Sequence, residues 1–156
     1  MGWKVQGGWF PTAELDGTTL VGQKIRFNKD IVLRGVRPQF IFYGNPAFTT
    51  LGLRIYSDRS GVPGKLLHSS STLTKAEIIT LNNGVKEPFF SFDLPTFKSS
   101  TWFHIVPIAT GYTGTSSSHI AWRKAWPDPI YRTGLTETYT NWTSHPYMLH
   151  IIGAEL

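Results

Sequence analysis

Ten prolines and fifteen glycines are spread along the 156 residues so that they interrupt almost every window a helix would need. What survives between them is alternation with a period of two, the signature of half-buried strands. Ile25 and Phe27 alternate with Lys24 and Arg26, ahead of a polar turn at Asn28-Lys29-Asp30. Ile31 to Tyr43 reads as a long extended stretch with Val32, Val36, Phe40 and Phe42 on one face, bent or bulged near Gly35 and Pro38. Leu51, Leu53 and Ile55 alternate with Gly52, Arg54 and Tyr56.

Ser57 to Gly64 is rich in turn formers and reads as a loop. Lys65–Thr72 and Lys75–Leu81 read as strands, with a hairpin at Asn82-Asn83-Gly84 preferred over a helical turn at Thr74–Ile79. Phe90, Phe92 and Leu94 form another alternating set. Thr101–Ala109 is apolar on both phases, as a central strand would be, and Pro107 needs a place where one ladder bond can be missing. Gly111 to Ser118 reads as a loop. His119–Lys124, with Ile120 and Trp122 inward, and Tyr147–Ile151 complete nine to eleven strands. The spacing predicts an all-β fold, a two-sheet antiparallel β-sandwich or a barrel, with residues 1–19 an arm or first strand and 20–156 one domain.

Composition narrows the chemistry. No cysteine is present, which excludes disulfides, thiolate metal sites and a cysteine nucleophile. The histidines His68, His104, His119, His145 and His150 have no zinc-like spacing, so no metal is expected, and His104 reads as a hydrogen-bonded core residue. Neither a nucleophile elbow nor a phosphate-binding glycine loop occurs. The paired carboxylates of a glycosidase are not legible either, Asp93 and Glu137 being the only acids on extended stretches. No catalytic residue and no cofactor are expected.

The charge balance is 15 − 10 = +5. The basic residues Lys24, Arg26, Lys29, Arg34 and Arg37 cluster loosely, and on strands they alternate faces. That pattern suits an acidic protein surface better than direct contact with nucleic acid. No apolar run approaches a membrane span, and Met1 to Gly8 lacks the apolar core of a signal peptide. The sequon Asn141-Trp142-Thr143 is then expected to be fortuitous.

Six tryptophans divide by context. Trp102 and Trp122 fall on strand phases and are expected in the core with Phe40, Phe42, Phe90 and Phe92. Trp126 and Trp142, beside Asp128 and Asn141, lie in loop-like segments and could contact a glycan. Trp3, Val5, Trp9 and Phe10 form a glycine-spaced arm able to tuck into its own domain or into a neighbouring subunit.

The stretch Leu51 to Leu67, above all Ile55-Tyr56-Ser57-Asp58-Arg59-Ser60-Gly61-Val62-Pro63-Gly64, resembles a jelly-roll module of extracellular bacterial proteins and of tailed-bacteriophage virion proteins, the second fitting better a chain in which no signal peptide is legible. Segments like Val21–Phe27 and Trp102–Val106 accompany it there. The resemblance implies a jelly-roll sandwich and a structural role, first as a capsid-decorating or cement protein, second as a tail or fibre component. It further implies virion proteins and copies of the chain itself, as a trimer, for partners, with synthesis in the host cytoplasm. A carbohydrate-binding module is the alternative.

Overall fold

The computed structural model describes residues 2–4, 19–79, 85–112, 117–122, 131–133, 137–140 and 149–156. In chain order the strands are β1 (Gly2–Lys4), β2 (Thr19–Val21), β3 (Gln23–Phe27), β4 (Ile31–Pro38), β5 (Phe40–Tyr43), β6 (Thr50–Arg59) and β7 (Val62–Thr74). The helix α1 (Lys75–Ile79) follows, then β8 (Val85–Lys86), β9 (Phe90–Ser91), β10 (Thr96–Phe97), β11 (Phe103–Thr110), β12 (His119–Trp122), β13 (Tyr131–Thr133), β14 (Glu137–Thr140) and β15 (Leu149–Glu155). The fold is all-β.

Two five-stranded sheets carry most of it. One runs β14-β3-β11-β6-β7, the other β10-β4-β15-β13 with β9 also paired to β4. A smaller sheet, β12-β5-β8, abuts them, and β1 pairs with β2. Pairing is antiparallel except at β1–β2 and β13–β15, two short parallel contacts that periodicity does not reveal.

The sheets meet through one apolar cluster. Ile25, Phe27, Leu51, Leu53, Ile55, Phe103 and Ile105 face inward from the first sheet, and Ile31, Leu33, Val36, Leu149 and Ile151 from the second. Phe97 links the layers, stacked on Phe103 at 4.6 Å and tilted on Phe27 at 6.2 Å between ring centroids. β11 is central, as its double-sided apolarity predicts. Pro107 lies opposite Leu53 of β6 but beyond Ile105↔Gln23, the last pairing with β3, so among the described residues it has a sheet neighbour on one side only.

Several expectations are corrected. The Ile31–Tyr43 stretch divides at Gln39, and its inward face is not Val32 with Val36. Gly35 faces Ile152 while Leu33 faces Gly153, leaving Arg34 as an extra residue. This bulge shifts the phase, so Ile31 and Leu33 precede it in the core and Val36 follows. Gly35 sits at the bend because a Cβ there would lie 2.3 Å from the Phe89 ring and 2.8 Å from the Phe90 carbonyl oxygen.

The 57–64 segment is not a loop. β6 continues to Arg59 and β7 starts at Val62, joined by Ser60 (φ 52°) and Gly61 (φ 90°), both in the positive-φ conformation of a type I′ turn. Lys75–Ile79 is helical rather than extended. The Thr74 hydroxyl accepts from the Glu77 N–H at 3.3 Å, while the Glu77 carboxylate accepts from the Thr74 N–H at 3.4 Å, a capping box. Leu94 is 60% exposed and has φ 49°, so it leaves the alternation begun by Phe90 and Phe92. The turn expected at residues 82–84 and the middle of the 111–118 loop lie outside the described residues.

Candidate functional site

Strands β3, β11 and β6 turn their odd-phase apolar residues to the core, which forces the intervening side chains onto the opposite face. Register then decides which of them meet. His104 lies opposite Lys24 of β3 on one side and Tyr56 of β6 on the other. Asp58 is two residues farther along β6, on the same face as Tyr56. Its Oδ1 lies 2.8 Å from His104 Nε2 and 3.6 Å from Lys24 Nζ. Its Oδ2 accepts from the Gly61 N–H of the turn at 3.4 Å.

Burial sets the protonation states. His104 has no exposed side-chain surface, whereas Asp58 retains 20% and Lys24 16%. Loss of hydration holds the His104 pKa below 6.5; hydrogen bonding and charge from Asp58 oppose this, and Lys24 reinforces it. Burial pushes Asp58 upward, but the His104 hydrogen bond, the Gly61 N–H and the Lys24 charge outweigh it and leave the carboxyl below 3.8. Neutral His104 therefore donates from Nε2 to ionised Asp58. Its Nδ1 is then a buried acceptor, and it has no hydrogen-bond partner.

Trp102 borders this cluster and corrects a further expectation. It is half-buried rather than in the core, with Lys24 Nζ and Arg26 Cζ each 4.7 Å from its ring centroid. Each cation contributes about 0.5–1 kcal/mol at such partly exposed sites. Trp122, by contrast, is fully buried, edge-on to Phe40 with centroids 6.0 Å apart.

The other basic residues go elsewhere. Lys29 pairs with Glu155 at 2.9 Å, Arg34 is exposed on the bulge, and Arg37 lies over the Phe89 ring at 5.5 Å. Lys24 and Arg26 thus share the Trp102 ring while Lys29, Arg34 and Arg37 lie apart, so the five do not form one stripe. Trp3 lies in β1, whose backbone pairs with β2. Val5, Trp9, Phe10, Trp126, Asp128, Asn141 and Trp142 lie outside the described residues. Among the described residues no group of three or more metal-ligating side chains occurs.

A surface that the sequence reading passed over is the β6–β7 hairpin. From Gly52 to Arg54 the partner strand advances from Thr72 to Ser69, and two further steps behave likewise, so β7 carries three bulges. Leu67 is the residue left over at the second of these. Leu66 and Leu67 are 42% and 43% exposed, and Arg54, Arg59 and Lys65 are exposed around them.

Comparison with protein-family models, with curated proteins and with solved structures found no match. The site must therefore be judged on its own chemistry. Asp58 and His104 form a carboxylate–imidazole pair, but His104 is sealed from solvent and, among the described residues, hydrogen-bonds no serine or threonine hydroxyl. As arranged, the pair ties β11 to the turn of the hairpin, and the surface it braces is the basic, leucine-bearing tip.

Proposed function

We propose that this chain is a non-enzymatic structural protein of a tailed-bacteriophage particle, acting as a capsid-decorating or cement subunit, with a tail or fibre component as the second reading. One observation carries the assembly role: the β6–β7 hairpin presents two exposed leucines and the exposed cations Arg54, Arg59 and Lys65, which meet no acid among the described residues. Among the described residues Lys24, Lys29 and Lys98 meet Asp58, Glu155 and Asp30, whereas Arg54, Arg59 and Lys65 form no ion pair. Such a patch suits a partner that is acidic around an apolar contact. A second copy of the same patch would be repelled.

The same hairpin contains the Ile55–Gly64 stretch that resembles the virion modules, which supports placing the scaffold in a phage particle. Its triple bulge disfavours strand addition, so side chains rather than backbone would make the contact. Docking in many copies would add avidity to individually weak contacts.

Purified shells lacking the protein provide the test. Arg59→Glu with Lys65→Glu should weaken co-sedimentation at least tenfold, and Leu66→Ser with Leu67→Ser should do the same, with thermal melts unchanged. Full binding by both variants would remove the hairpin from the interface. Deleting residues 2–10 is less discriminating, because β1 pairs with the chain's own β2.

A further inference from the structure

At the end of the second sheet a cleft of about 260 Å³ opens between Arg37, Gln39, Glu87, Leu149 and His150. We infer that this cleft binds one neutral pyranose ring. The inference stands apart from the proposed virion role and from the loop tryptophans.

The residues come from separate parts of the chain. Arg37 is near the end of β4, opposite His150 at the start of β15. Gln39 occupies the break between β4 and β5, and Glu87 follows β8. The volume falls just below the range of about 300–1,000 Å³ typical of drug-sized ligands, which suits one ring.

Four of the five described side chains that line the cleft are planar and polar: a guanidinium, an amide, a carboxylate and an imidazole. Arg37 and Glu87 carry pairs of coplanar donor or acceptor atoms, the geometry that engages adjacent hydroxyls, and Gln39 already shares one hydrogen bond with Glu87.

Much of this lining is held in place before any ligand arrives. Gln39 Nε2 donates to Glu87 Oε1 at 2.7 Å. Arg37 rests on Phe89, whose ring is wedged against Gly35, and Arg37 Nη1 reaches toward the Glu87 carbonyl oxygen at 3.5 Å. Side chains fixed by folding lose little further entropy on binding.

Charge selects among ligands. The Arg37 cation and the Glu87 carboxylate offset one another, so a phosphate or a uronic acid would gain from one and be repelled by the other. A metal ion would meet one carboxylate beside a guanidinium. A neutral polyol can use both charged groups as hydrogen-bond partners at little electrostatic cost.

The test is a titration of the full chain, followed by ¹H–¹⁵N chemical shifts, with the methyl pyranosides of glucose, galactose, mannose, fucose and N-acetylglucosamine. Glucuronate and inorganic phosphate are titrated alongside. The expected result is saturable binding of at least one neutral pyranoside with a Kd on the order of millimolar, the value for a contact worth about 4 kcal/mol. Shifts should centre on Gln39, Glu87 and His150.

Glu87→Gln, which preserves shape, should weaken binding at least fivefold, and Arg37→Ala should abolish it. If Arg37→Ala fails to fold, Glu87→Gln carries the test alone. Absence of saturable binding by all five sugars, shifts centred elsewhere, or an affinity unchanged by Glu87→Gln would overturn the inference. Stronger binding of glucuronate or phosphate would overturn it in favour of an anion site.

Discussion

At the scale of single residues, His104 couples stability to pH. Its pKa is below 6.5 in the folded chain, so the unfolded chain takes up a proton below that pH which the folded chain resists. Stability should therefore be unaffected by this group above pH 6.5 and fall as the pH drops toward the folded-state pKa. The depressed Asp58 carboxyl contributes in a lower window, its stabilisation being present above 3.8 and lost as pH falls through its folded value. Urea denaturation across pH should show the first decline beginning near 6.5 in the native chain and a flatter profile in His104→Gln. At the turn, Ser60 bears a positive φ that asparagine or glycine tolerates better. Ser60→Asn should raise stability by up to about 1 kcal/mol, measured by the same denaturation.

Elements show where local pattern succeeds and where it misleads. Leu51, Leu53 and Ile55 face the core as their alternation predicts, because β6 has no bulge of its own in that stretch. β4 does, and one extra residue at Arg34 was enough to move Val32 off the face assigned to it. The short helix was legible: Thr74-Lys75-Ala76-Glu77 has the spacing of a capping box, but β-like composition and the following Asn-Gly outweighed it. Thr74→Ala should cost about 1 kcal/mol, and Thr74→Ser much less, in thermal or chemical denaturation.

For the whole molecule, the two large sheets are joined by one apolar core in which Phe97 bridges the layers. Phe97 comes from a strand of only two residues, yet it stacks on Phe103 and touches Phe27 across the layers. Truncating it would open a cavity between sheets that cannot close independently. Phe97→Ala should therefore cost about 3–5 kcal/mol with an unchanged denaturant m-value, whereas Phe42→Ala, at a partly buried position packed against the core cluster, should cost less.

Alternation, proline and glycine spacing and aromatic content by themselves determined an all-β chain, the central place of β11 and the inward faces of β3, β6 and β12. These depend on neighbours one or two residues away, where covalent geometry fixes the relation. Which strands pair, and in what register, was decided only in three dimensions. Asp58 and His104 are 46 residues apart, and nothing in either segment announces the other. The same holds for Trp102: its strand phase is apolar, but the facing β3 supplies Lys24 and Arg26, so it lies beneath two cations instead of inside the core. A side chain's face is local information, whereas what that face meets depends on chain closure over long separations.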